Sequence, residues 1–480
     1  MILLAIMFLF YGISYTTISA QNLTISSTGQ TTSPGTNWSI TGNTLTVTGT
    51  ASIRASVIEN ALSSGNLSVV GNSTNFAVTV SEAINATAAG SGLTIGSITN
   101  AGAITISADL SLAGGLAIMG GDLQLNGNIT TTATGDLFFQ GLSDAWSIRL
   151  ATGKTIEKTA GTGLLTMQGN GRINNSTSVG SILASGSATL NVLIINELNS
   201  GTAGLYNVST GNITTNGGHL WISAGAKTRV WNGLSVGSSG VPGNTNYNGI
   251  DVTGNISTSG GDILLWAFVG SGASGNGYGD ITALTSNRTI NSGSGNITLM
   301  TRYNDFVNST PDINIITSGK LTLAPASGSN FDVALAFSGS TTSGTFTGSG
   351  GMDGLIIPNF TSINELVIGT YNGTGISGDT PYTSANTADI TLGAAISIAG
   401  PITVYAGTIT LNANLTSTAS GDISLHSDAA LAGLSSAFRR CISRTLFGTH
   451  HHHLRSRKIL AQQYKFFFYS NLSNHKPDTD

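Results

Sequence analysis

Residues 388–425 read ADITLGAAISIAGPITVYAGTITLNANLTSTASGDISL. Apolar residues recur in pairs two positions apart: Ile390/Leu392, Ile396/Ile398, Ile402/Val404 and Ile409/Leu411, followed by Leu415 and Ile423/Leu425. Side chains on a strand alternate between its two faces, so each pair buries two residues on one side of a short strand. Gly, Ala, Asn, Thr and Ser fill the gaps, residues that turn a chain or stack as small neighbours. Pair starts six or seven residues apart leave no room for a helical crossover. A chain that turns this often winds into a coil of short strands. The expected fold is all-β, a right-handed parallel β-helix (solenoid).

Composition extends that reading to most of the chain. Only 8% of the 480 residues are charged while 40% are hydrophobic and 64 are glycine. Average soluble domains carry roughly a quarter charged residues. Disorder goes with high charge and few β-branched residues, the opposite of this balance. The net charge of −4 gives the main body no footprint for nucleic acid. That net conceals a break. Residues 1–437 hold ten Lys/Arg and twenty Asp/Glu, whereas 438–480 hold eight and two, with one Gly, five of the seven His and the single Cys. One cysteine excludes a disulfide within the chain.

Along the chain, residues 1–20 (MILLAIMFLFYGISYTTISA) begin with an apolar run and end in small residues. They are expected to be a signal peptide cleaved near Ala20, although no basic residue precedes the run. Tyr15, Thr16 and Thr17 interrupt the run before it reaches the length of a membrane anchor,. No transmembrane segment is expected beyond it. Residues 21–50 are expected to be an N-terminal cap, because a stack of repeats must hide its open end. Residues 51–437 are the β-helix repeats. Within them Ala51–Leu62 is the best helix candidate, with Ile53, Val57, Ile58, Ala61 and Leu62 on one face, Ser52 as cap and Gly65 as stop.

At this point a resemblance enters. The order ENALSSGN, LSVVG, VTVSEAI, together with GNITTTATGDLFF and ANLTSTASGDISL, resembles the repeating units of filamentous-haemagglutinin-like bacterial surface adhesins. The likeness covers most of residues 51–430. It implies a secreted, extracellular or cell-surface protein of adhesive type, a piece of a larger adhesin, whose partners are host or neighbouring-cell surface glycans or proteins.

The repeats also stand without the family. Gly127-Asn-Ile-Thr-Thr, Gly211-Asn-Ile-Thr-Thr and Gly254-Asn-Ile-Ser-Thr suggest a comb of about 21 residues, with four and then two coils between them. About twenty coils at ~4.8 Å each make a rod on the order of 95 Å. Ser271–Gly279 and Ser338–Gly351 read as loops between coils. Residues 438–480 continue none of this and are expected to be an unstructured or aberrant tail. They are a basic tail, a fused segment, or a reading of the wrong frame.

Ten aspartates stand directly before Ile, Leu or Val: Asp109, Asp122, Asp136, Asp251, Asp262, Asp280, Asp312, Asp332, Asp389 and Asp422. Catalysis on a glycosidic bond needs two carboxylates that converge. Ten similar settings instead read as turn residues accepting backbone N–H groups. Gly260-Gly-Asp262 is only a fragment of a calcium-binding nonapeptide, with no tandem array. No metal, cofactor or catalytic residue is expected. The enzymatic alternative is a β-helix polysaccharide-degrading enzyme of lyase or glycosidase type, which needs basic residues on the same face as the carboxylates. Most Lys and Arg before residue 438 are scattered singly, Lys227/Arg229 and Lys154/Lys158 being the close pairs. Trp221, Trp231 and Trp266 are the candidate ligand contacts, by stacking on sugars, with core packing as the rival role. His219 and Asp262 occupy equivalent repeat positions, GGHLW and GGDIL, which marks both as turn residues.

Overall fold

A computed structural model describes residues 21–31, 37–87, 90–174, 179–196, 208–224, 229–236, 249–267, 281–283, 286–301, 313–325, 335–339, 344–347, 355–357, 362–369, 390–392, 395–406, 409–411, 413–419, 421–427 and 464–466. The signal-peptide expectation for 1–20 and the Ser271–Gly279 loop lie outside them.

The period-2 pairs become strands, and the strands stack in parallel. One coil runs Ile104–Ile106, Leu110–Leu112, Leu116–Gly120, each on a different face. The next runs Leu123–Leu125, Ile129–Thr131, Leu137–Gly141. The registers are Ile104↔Leu123, Leu110↔Ile129 and Leu116↔Leu137, so like residues lie above like. Among the described residues three long sheets result, of ten, fifteen and fifteen strands, here called sheets 1, 2 and 3 in the order a coil visits them, with Ile396–Ile398 and Leu415–Ser417 pairing as a separate two-stranded sheet. The chain is a parallel β-helix.

The first residue of each pair and the second point inward. Ile390, Leu392, Ile396, Ile398, Ile402, Val404, Ile409, Leu411, Leu415 and Ile423 are all 0–1% exposed, Leu425 4%. One hydrophobic core runs continuously from Leu23 to Leu425. Each fully buried Ile or Leu contributes roughly 1.5–3 kcal/mol of transfer free energy. No coil encloses this core alone, so neighbours share the stability.

The count of coils differs from the 21-residue comb. Ile213 pairs directly with Ile256, so the 43-residue interval between the Gly-Asn-Ile repeats is one coil, not two. From Ile129 the register passes through Ile156 and Ile182 to Ile213, three coils rather than four. Among the described residues, fourteen parallel strands stack in sheet 3, whose fifteenth is antiparallel. Their thirteen spacings give a rod of roughly 62 Å, not 95 Å. Turns absorb insertions without disturbing the strands, so spacing in sequence overcounts coils.

The helix also differs. Ala51–Ile53 is a strand of sheet 1, where Ser52 contacts the Ser26 hydroxyl, and helix α1 spans Ala55–Leu62. The N-cap residue Arg54 offers it no side-chain cap. Instead the Glu82 carboxylate accepts the Ala55 N–H at 2.8 Å, which holds the Glu82 carboxyl below its usual range, with Arg54 adding to the effect. Ala55, Val57, Ile58 and Leu62 face the core. Glu59 accepts the N–H of Asn85 on Ile84–Ala86, the first strand of sheet 2. The helix thus covers an edge that would otherwise offer unpaired N–H groups. Within 21–50, Trp38–Thr41 and Thr44–Val47 form an antiparallel hairpin at the end of sheet 3.

Two stretches near the C-terminus depart from the simple coil. Leu335–Gly339, Gly344–Thr347 and Leu355–Ile357 pair antiparallel, so part of the expected Ser338–Gly351 loop is strand. Of the 438–480 tail only Tyr464–Phe466 is described, a strand antiparallel to Ile409–Leu411.

Candidate functional site

The polar residues before each strand form ladders. On the turn entering sheet 3, Asn191 Oδ1 accepts the His219 N–H at 2.9 Å, and His219 Nδ1 accepts the Asp262 N–H at 3.0 Å. Asp262 accepts the Asn296 N–H at 2.7 Å, and Asn296 accepts that of Lys320 at 2.9 Å. On the turn entering sheet 2, Asp109 accepts from Asn128, Asn128 from Thr155, Asn212 from Asn255 and Asn255 from Thr289. Each side chain therefore serves the backbone of the following coil. The Asn128 N–H holds the Asp109 carboxyl below its ordinary value, against burial, which pushes the other way. Asp136 does the same service for Leu164.

The glycine that precedes these residues is required by the stacking distance. A Cβ on Gly261 would lie 2.0 Å from the Gly218 carbonyl oxygen, and one on Gly295 2.2 Å from that of Gly261. The Gly-Asp turns are thus packing devices. Asp109, Asp136 and Asp262 are turn residues, and His219 and Asp262 do occupy one register. Asp251 is different: it lies within the strand Ile250–Val252, 4% exposed, accepting from the Ser209 and Thr282 hydroxyls. Asp280, Asp312, Asp332 and Asp389 fall outside the described residues.

The tryptophans gather on the outside of sheet 3. Leu193, Trp221 and Leu264 form one outward row and Ile195, Ser223, Trp266, Met300 and Ala324 the next. These apolar residues make a second core, separate from the one inside the coil. A hairpin of Arg229–Trp231 and Leu234–Val236 joins it, turning at Asn232 and Gly233, both at positive φ as an Asn-Gly hairpin requires,. Trp231 meets Trp221 edge-on with ring centres 6.2 Å apart and His219 at 5.9 Å. Asn232 Nδ2 donates to Asp262 Oδ2 at 2.6 Å and anchors the turn to the ladder.

Trp221 and Trp266 are 1% and 2% exposed, so neither offers a ring face to a sugar. This corrects the stacking expectation for both: a hairpin distant in the turn covers what the strand pattern leaves outside. Trp231, half-buried, acts as part of the cover. His219 Nδ1 and Asp262 Oδ2 lie 4.0 Å apart. With Nδ1 already accepting an N–H, the ring proton sits on Nε2 and the contact is not an ion pair.

Two groups of functional type escaped the sequence pattern. On the outside of sheet 1, the guanidinium groups of Arg172 and Arg149 lie 5.1 and 5.9 Å from the Trp146 ring centre. Asp122 pairs with Arg149 and receives Gln124 Nε2 at 3.0 Å. On sheet 3 near the C-terminal end, Tyr405 and His426 stack at 4.5 Å with ring planes 14° apart. Only register brings either group together. Among the described residues no three His, Cys, Asp or Glu converge as metal ligands.

Comparison with known proteins gives no matching family model, characterised protein or solved structure. The site must be read from its own chemistry. Among the described residues, no helix is long and apolar enough to cross a membrane.

Proposed function

We propose that this protein is a secreted or cell-surface adhesive rod whose partners are glycans or proteins of host or neighbouring-cell surfaces. The observation that carries this reading is the commitment of Asp109, Asp136 and Asp262 to backbone N–H groups of the next coil. Carboxylates used this way build length and stiffness, and length is what an adhesive rod needs. The outward rows of the sheets repeat at about 4.8 Å, so a patch on one coil has neighbours on the next. Many weak contacts along such a rod add to a firm attachment. The resemblance of the repeats to filamentous-haemagglutinin-like adhesins supports the same reading.

The test is direct. Beads coated with the purified chain are expected to adhere to cell monolayers and to be released by soluble chain. Incubation of the chain with plant and bacterial polysaccharides is expected to release neither reducing ends nor unsaturated sugars. Turnover in that assay would replace the adhesive reading with a β-helix polysaccharide lyase or glycosidase.

A further inference from the structure

The turn ladder entering sheet 3 carries a histidine where an amide would serve. At the same register Asn191 and Asn296 each accept the N–H of the next coil through a side-chain amide oxygen. Between them His219 does this with Nδ1. Its side chain is 35% exposed, so solvent protons reach the ring. An imidazole is the group whose charge changes between about pH 5 and 8, which no amide does.

The surroundings of Nδ1 suit only the neutral ring. Nδ1 accepts the Asp262 backbone N–H at 3.0 Å, and Asn232 Nδ2 lies 3.4 Å away. That amide nitrogen also donates to Asp262 Oδ2 at 2.6 Å, the contact that pins the hairpin turn. The same carboxylate oxygen lies 4.0 Å from Nδ1. A proton on Nδ1 replaces an acceptor by a donor that faces two other donors. The acceptor within its reach is Asp262 Oδ2, and a bond between two opposite charges is stronger than one from a neutral amide. The imidazolium therefore takes the oxygen that holds Asn232. A ring turned toward Asp262 also leaves its edge-on contact with Trp231, now 5.9 Å between centres. Of the described side chains that meet the ring, Asn191, Trp231 and Asn232 are neutral and Asp262 is charged. The side chains of Lys227 and Arg229 fall outside the described ones.

We infer that His219, Asp262 and Asn232 form an acid-opened latch on the hairpin of Arg229–Trp231 and Leu234–Val236. With the ring neutral, Asn232 ties the turn to the ladder, Trp231 and Leu234 lie on the second core, and Trp221 is 1% exposed. With the ring protonated, Asp262 Oδ2 passes from Asn232 to His219, the turn is released, and the outward row of Leu193, Trp221 and Leu264 loses cover. The exchange is local. Asp262 Oδ1 keeps the Asn296 N–H at 2.7 Å, and Leu220–Ala224 keeps its pairing with Ile263–Ala267, so the coil stays wound. The latch needs no adhesive partner and works whether or not the rod adheres.

The experiment follows the full chain from about pH 7.5 to about pH 5, across the imidazole range and above that of ordinary carboxylates. Two signals are read together: hydrogen exchange of the Asp262 amide, divided by its unfolded-chain rate at each pH, and acrylamide quenching of tryptophan. Far-UV circular dichroism watches the coil. In the wild type, exchange rises at least tenfold at the acid end and the quenching constant rises by at least half, while the circular dichroism holds. His219→Asn keeps the rung in the manner of Asn191 and Asn296, and abolishes both changes. Asn232→Ala is quenched to the acid level at both ends, yet its Asp262 amide stays protected at the neutral end. Should His219→Asn fail to fold, His219→Gln makes the same comparison. Wild-type signals that do not move, changes that persist without His219, or faster exchange with unaltered quenching overturn the latch. So does a loss of circular dichroism over the same range, which would make the change global.

Discussion

Asn174 ties three coils together, and its loss sets a sharp test of how this stack is held. It sits at φ +61° and 5% exposure, with Oδ1 accepting the Leu150 N–H at 2.8 Å and Nδ2 donating to the Ser209 carbonyl at 3.0 Å. Asn174→Ala strands both of those buried backbone groups. Each unpaired group costs roughly 1–3 kcal/mol, about 2–6 kcal/mol for the two. The left-handed backbone adds roughly 1–2 kcal/mol on Ala. Asn174→Gly loses the same hydrogen bonds but fits the backbone, against about 0.4–1 kcal/mol of extra unfolded-chain entropy. Glycine should therefore come out ahead of alanine by about 0.5–1 kcal/mol, both well below wild type. Urea unfolding followed by far-UV circular dichroism measures this, and hydrogen exchange at the Leu150 amide localises it. An Asn174→Ala chain within about 1 kcal/mol of wild type would refute the reasoning. So would an alanine variant more stable than the glycine one.

Other expectations follow from single contacts. Lys158 is 0% exposed inside the coil, its Nζ donating to the Ala133 and Gly135 carbonyls at 2.5 and 3.2 Å, and burial pushes its amine below the ordinary lysine value, with Asp136 opposing. The unfolded chain then holds the proton over a window where the folded chain has shed it, so stability rises with pH from the folded value up to about 10.4. Lys158→Met removes that rise, and an unchanged difference between urea midpoints at pH 7 and 10.5 would argue against it. Glu82 behaves oppositely, its lowered value giving stability that is present above the ordinary carboxylate range and lost as pH falls through the folded value,. Glu82→Gln flattens this acid limb; an identical acid limb in the variant contradicts the assignment. Asn232→Ala frees the hairpin from Asp262, so acrylamide reaches Trp221 and emission shifts to the red, whereas unaltered quenching places the latch elsewhere.

The strand pattern was legible because burial in a coil obeys a short rule. Ile402 and Val404 point inward for the same reason as Ile104 and Ile106, and any such pair announces its face. Asp109, Asp136 and Asp262 were legible as turn residues through repetition, although only the register shows that these three serve the coil after their own. What stayed hidden depends on stacking across long separations. Trp221 reads as an outward residue in HLWIS, and the folded-back Trp231 and Leu234 join Leu193 and Leu264 in burying it. Lys158 sits where Thr131 and Ala184 lie in adjoining coils, a place the sequence gives no reason to expect for a cation. Ser52 failed as a cap because the strand pairing of Ala51–Ile53 with Leu23–Ile25 claims it first.

The turn ladders have a direction. On both, the acceptor belongs to the earlier coil and the donor to the later one, from Asn66 and Gly92 through Asn296 and Lys320. A coil that has just closed therefore presents waiting acceptors to the chain still to come, while α1 has already sealed the opposite end. A polypeptide emerging amino end first meets a template at every step. Assembly can proceed as a ratchet, one turn at a time, with no need for distant segments to find each other.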